Sequence, residues 1–244
     1  MILALCEQNS LVAQEKPANS RPSAVSVPFV GCSSDGPSDP REAPKGTSAS
    51  VPITPKAAES LAYYATRTGL GVLAPRSWYC YGMYGIGDDS LYVGLQPIDG
   101  SMFSIGRSGV VGPIVEVSHS LSNTGQRSHV AEIIARVFPA YMAFATHLME
   151  EGTREPLKFG PYPKDALTYR NNRMVEYKTP TQTDGLGTHS WLKKSVSPIE
   201  GVAMLVGQTP DLLVLAVRLP PGLNGLTSVI IRQFERDGVR NNRQ

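Results

Sequence analysis

Val202-Ala203-Met204-Leu205-Val206, Gly207-Gln208-Thr209-Pro210-Asp211 and Leu212-Leu213-Val214-Leu215-Ala216-Val217-Arg218-Leu219 follow one another without a break: two apolar runs around a cluster of turn formers. Short aliphatic runs bounded by Gly and Pro read as strands, and the tight connection makes them an antiparallel hairpin, buried on at least one face. The second run is almost wholly apolar, which places it centrally in its sheet. A helix is predicted over 226–237, presenting Leu226, Val229, Ile230 and Phe234 to that sheet, with Gly238 closing it. Upstream, Arg173-Met174-Val175-Glu176-Tyr177-Lys178 alternates as a strand with one wet face.

The middle of the chain continues the pattern. Strands are expected at Leu91-Tyr92-Val93-Gly94-Leu95, after a Gly87-Asp88-Asp89-Ser90 turn, at Met102-Phe103-Ser104-Ile105 and over 112–118. A long helix over 127–150 carries Val130, Ile133, Ile134, Val137 and Phe138 on one stripe, kinks at Pro139 and ends at Gly152. Thr54-Pro55 opens an earlier helix, with Thr54 as N-cap; Ala57, Leu61 and Tyr64 share its face, and Gly69 is its C-cap residue. Strand runs interrupted by a few helices favour α+β: a largely antiparallel sheet packed by a long central helix and a C-terminal helix, with an extended N-terminal arm.

The 244 residues and 41% apolar content suffice for a real core. With 23 Lys and Arg interspersed among 21 Asp and Glu, the net charge of +2 makes no phosphate-tracking surface, so no nucleic-acid partner is expected. No apolar run reaches the roughly 18 residues of a transmembrane helix. Met1-Ile2-Leu3-Ala4-Leu5-Cys6 is apolar and short, and reads as a signal-peptide remnant before a flexible Pro/Ser-rich arm over 1–27; Cys6 is then retained, cleaved or lipidated. Residues 28–56 read as an arm anchored at Phe29-Val30-Gly31-Cys32, residues 57–238 as one domain, and 239–244 as a tail.

Cys32 and Cys80 pose the sharpest question. A bridge between them closes a loop of about 48 residues, staples the weakly apolar arm to the domain and implies an oxidising compartment. The competing reading makes Cys80 a hydrolase nucleophile with His119 or His189 as base. His129 and His147, about five turns apart on the predicted helix, cannot form a site together. Cysteines and histidines scattered singly give no zinc spacing, so neither metal nor cofactor is expected; Asp88-Asp89 reads as a turn before it reads as a cation loop. Trp78, Tyr79 and Tyr81, with Asp88 and Asp89, are the candidate ligand contacts, although packing around the bridge accounts for the aromatics as well. Gly185-Leu186-Gly187-Thr188 lacks the third glycine of a dinucleotide loop, and Gly106-Arg107-Ser108-Gly109 is no nucleophile elbow.

The stretches Val30-Gly31-Cys32-Ser33-Ser34-Asp35-Gly36, Val72-Leu73-Ala74-Pro75-Arg76-Ser77-Trp78-Tyr79-Cys80-Tyr81-Gly82, Gly185-Leu186-Gly187-Thr188 and 211–220 together resemble bacterial exported proteins of unknown function. The resemblance implies a periplasmic or secreted protein with a single composite domain, and supplies no reaction. The expectation is therefore a non-catalytic binding or accessory protein of the cell envelope, its partner an envelope protein, a peptide or a glycan.

Overall fold

The computed structural model describes residues 24–100, 109–150 and 156–241. The N-terminal apolar hexapeptide with Cys6, the Met102-Phe103-Ser104-Ile105 strand, the 106–109 motif up to Ser108 and the Gly152 helix end lie outside the described residues.

The 202–219 hairpin is present as β11 (Ile199–Val206) and β12 (Asp211–Arg218). β12 is central, antiparallel both to β11 and to β8 (Ile114–Ser120). The sheet grows on one side through β10 (Met174–Thr179) and β9 (Ala166–Asn171), and on the other through β7 (Asp88–Gly94), β6 (Tyr79–Tyr84) and the two-residue β2 (Ser34–Asp35). Every neighbour pair is antiparallel except β2 with β6.

Alternation along these strands feeds two cores. Leu91, Val93, Val115, Val117, Val202 and Leu215 join one, while Tyr92, Ile114, Ala203, Leu205, Leu212 and Ala216 join the other. Successive side chains on a strand point to opposite faces. Burial on both faces is why the β12 run is apolar without interruption.

The first core is closed by a second sheet and by α4 (Thr227–Asn241), which lays Ile230, Ile231 and Phe234 on it. That sheet has the order β3 (Ser48–Val51), β1 (Val25–Gly31), β4 (Leu61–Ala65), β5 (Gly71–Pro75). The second core lies under α2 (Arg127–Val137), which packs on α3 (Met142–Glu150). The fold is thus α+β, with two mostly antiparallel sheets.

Three expectations are corrected. The helix opened by Thr54, whose Oγ1 accepts from the Ala57 N–H, spans only α1 (Pro55–Ala58). Beyond it the chain becomes β4, because Leu61 to Ala65 fill a slot between β1 and β5 where both neighbours supply backbone partners. The long helix does not kink at Pro139 but breaks there. Phe138 leaves helical geometry at φ −123° and ψ 73°, as the proline ring demands of the residue before it.

The arm over 28–56 is anchored along its length as well as at Cys32, since β1 starts at Val25 and lies inside the smaller sheet. It pairs antiparallel with β3 through Pro28 and parallel with β4 from Phe29. Finally, Gly238 does not close the last helix but lies within α4. A Cβ there would stand 2.6 Å from Cε of Met204, so the glycine admits the β11 side chain against the helix.

Cys32 and Cys80 form a disulfide, with Cα atoms 5.5 Å apart. Cys32 follows β1 and Cys80 lies on β6, so the bridge joins the two sheets.

Candidate functional site

On α2, His129, Glu132, Ile133 and Arg136 fall at i, i+3, i+4 and i+7 and therefore share one face. Opposite that face runs the segment 184–193. Its helical turn at 186–188 is held by Asp165, whose carboxylate accepts from the Leu186 N–H (2.7 Å) and from the Thr179 hydroxyl (2.8 Å). The Thr179 Oγ1 in turn accepts from the Gly187 N–H at 3.0 Å. Any Cβ on Gly187 would lie 2.7 Å from that of Ile199, so the turn reaches β11 only with glycine at this position. The Gly185-Leu186-Gly187-Thr188 motif is thereby explained as a close-packed corner, and it delivers His189 and Ser190 to α2.

His189 is the hub. Its Nε2 stands 3.1 Å from Oε2 of Glu132, its Nδ1 3.0 Å from the Tyr162 hydroxyl, and its ring stacks on His129 at 5.5 Å between centroids and 6° between planes. Tyr162 is fixed from its other side by Arg136, whose guanidinium lies 4.4 Å from the ring centroid and donates to the Gly160 carbonyl. Burial, reinforced by the neighbouring His189, lowers the pKa of His129 to about 4, so this imidazole is neutral at physiological pH.

These groups border a cleft of about 360 Å³, lined among others by Glu132, Arg136, Lys158, Tyr162, Asp184 and His189. Asp184 is paired with Lys194 at 2.6 Å and Glu132 with His189. Arg136 and Lys158 line the cleft with no carboxylate partner among the described residues.

Beneath it, a cavity of about 20 Å³ is bordered by Glu116, Ser118, His129, His189 and Ser190, space for a single water molecule. Glu116 is buried on β8 and accepts from the Ser190 hydroxyl at 2.8 Å. Burial pushes its pKa up to about 7, against the opposing pull of Ser190, Lys193 and Arg218.

A folded pKa above the unfolded value of 4.5 means that the stabilising contribution is full below 4.5 and is lost as pH rises through 7. The change amounts to about 3 kcal/mol. Glu116→Gln is therefore expected to flatten the decline in stability between pH 4.5 and pH 8, leaving the variant more stable than wild type at pH 8. Urea unfolding across that range checks this, and parallel profiles for the two proteins would refute it.

The residues singled out by sequence do not converge. Cys80 is held in the disulfide and carries no thiol, and neither candidate base is near it. His119 is in register with Asp89, four positions along β7 from Val93, the partner of Cys80. His189 lies across the sheet on the α2 side.

Trp78 is buried in the first core, its backbone N–H donating to the Tyr64 hydroxyl. Tyr79 is exposed at the start of β6, and Tyr81 packs half-buried on the second core. Asp88 and Asp89 are strand residues rather than a turn; as neighbours on β7 they point to opposite faces and cannot share a cation.

Sequence reasoning missed Glu132, Arg136, Tyr162 and Glu116; it kept His129 and His147 apart, and the structure places His147 on α3 next to Glu150. The available signal was His129-x-x-Glu132 on one helical face; nothing local linked it to His189. No family model, curated protein or solved structure matches the chain.

Proposed function

We propose that this protein is an exported, non-catalytic binding protein of the bacterial cell envelope that takes a peptide by its carboxylate in the cleft between α2 and the 184–193 segment. The observation that carries the reading is the cleft of about 360 Å³ in which Arg136 and Lys158 are the charges without a carboxylate partner among the described residues. That volume is within the range of about 300–1,000 Å³ usual for small-ligand sites. Arginine suits a carboxylate because its planar fork can donate two parallel hydrogen bonds. The Cys32–Cys80 disulfide supports residence in an oxidising compartment, and no helix among the described residues is long and apolar enough to cross a membrane.

Titration calorimetry with a set of tripeptides, each with a free or an amidated C-terminus, tests the reading. Free-acid peptides are expected to bind and the amidated forms to bind at least 10-fold more weakly, with Arg136→Ala producing a similar loss. Equal binding of both forms, or no binding by any peptide, would overturn it.

A further inference from the structure

We propose that His129, Glu132 and His189 form a three-ligand site for a divalent transition-metal ion of the zinc type, with its remaining coordination position open to the cleft. One ligand atom from each of the three residues lies within 4.8 Å of the other two. Donors bound to a tetrahedral zinc ion at about 2.0–2.1 Å are about 3.3 Å apart. The 3.1 Å between Nε2 of His189 and Oε2 of Glu132 is already close to that spacing.

Three features distinguish this cluster from a histidine–carboxylate ion pair alone. A third donor is present, because the i, i+3 spacing on α2 puts His129 beside Glu132 and the stacked rings set its imidazole alongside that of His189. His189 has an outer partner in the Tyr162 hydroxyl at 3.0 Å from Nδ1. With Nδ1–H donating to that oxygen, Nε2 offers its lone pair to a metal, the arrangement by which ligating histidines are ordinarily oriented. Finally, the ligands come from two separately anchored pieces of backbone: α2, and the turn at 186–188 fixed by Asp165. Two imidazoles and one carboxylate favour zinc and its transition-metal neighbours over magnesium or calcium, which prefer all-oxygen shells. Three protein ligands and an open side make a site that can accept a water molecule or an anionic ligand group.

The site does not depend on the carboxylate reading, and zinc alone tests it. Full-length protein stripped with a chelator is dialysed against Zn²⁺, and its metal content and affinity are measured. The expected result is one equivalent per chain. His129→Ala, Glu132→Gln and His189→Ala should each weaken binding about 100-fold, and Tyr162→Phe about 10-fold, in keeping with the loss of an outer-shell partner. His147→Ala, whose side chain is exposed on α3, should leave binding unchanged.

Circular dichroism on each metal-free variant separates ligand loss from misfolding. Co²⁺ substitution of the wild-type protein, expected to give the intense visible bands of a tetrahedral ion, reads the site without any variant. No stoichiometric zinc, undiminished binding by His189→Ala, equal loss with His147→Ala, or a weak octahedral cobalt spectrum would each overturn the proposal. Failure of peptide binding with zinc binding intact would overturn only the carboxylate reading.

Discussion

Replacing Cys32 and Cys80 together by serine is expected to lower the unfolding free energy by about 4 kcal/mol, the chain-entropy value for a bridge across 48 residues. The location supports the full figure. Cys32 donates its backbone N–H to Ala65 of the smaller sheet, and one residue later the Ser33 carbonyl accepts from Gly82 of the larger one. The bridge therefore sits where the chain passes from one sheet to the other.

Without it, the 24–51 segment, poor in large apolar side chains, is tied to the larger sheet by the two-residue β2 and by contacts to Tyr84, which donates to the Asp39 carbonyl and carries Arg41 over its ring. For a chain of this size the loss corresponds to a fall in Tm of about 8–16 °C. The double variant avoids exposing one bridge cysteine as a thiol when the other is replaced. Urea unfolding with and without dithiothreitol checks the prediction: reductant should bring wild type down to the level of the variant and leave the variant unmoved. A wild-type midpoint insensitive to complete reduction would show that the bridge contributes nothing.

Arg218→Met is expected to cost about 3–5 kcal/mol, the usual consequence of removing one side of a buried charged network. Arg218 is only 1% exposed, near the end of β12 on the α2 face. Its guanidinium donates to the carbonyls of Val110 (3.2 Å), Val111 (2.8 Å) and Gly112 (3.4 Å), and to that of Lys193. Burial pulls its pKa down to about 10 while nearby Glu116 holds it up, so the group stays charged at neutral pH.

One side chain thus sutures the 110–112 segment to the 191–193 segment, which also exchange backbone bonds through Val110 and Lys193. Losing it leaves several carbonyls without a donor and Glu116 with Lys193 as its remaining counter-charge. Arg218→Lys should recover little, because a single ammonium cannot span acceptors on two segments. Hydrogen exchange is the discriminating measurement: the amides of Val110 and Lys193 should lose protection before those of β11. Unchanged protection there and an unchanged unfolding midpoint would refute the suture. Since the 191–193 segment follows His189 and Ser190 directly, the same variant is expected to loosen the cleft.

How much was readable in advance depends on how local each determinant is. The β11–β12 hairpin was legible because its turn and both apolar runs lie within twenty residues, and two-sided burial leaves its mark on every position from Leu212 to Val217. The disulfide was legible from a contrast in composition, an arm too poor in apolar residues to anchor itself. β4 was not, because Ala57, Leu61 and Tyr64 satisfy a helical stripe as well as a buried strand, and only the neighbours β1 and β5 decide between them. Asp88 and Asp89 were misplaced by about two residues of turn boundary, enough to turn a shared loop into opposite faces of a sheet.

The candidate site is the extreme case. His129 and Glu132 are one helical turn apart, but His189 lies 57 residues beyond Glu132. It reaches them only because Asp165, Thr179 and Gly187 fold a corner against β11. By itself the sequence determined the α+β class and the central hairpin, since periodicity and composition report burial directly, and it favoured the cysteine bridge that the structure forms. The tertiary structure alone decided which polar side chains meet, because those meetings depend on long-range strand order and on corners whose hydrogen bonds come from distant parts of the chain.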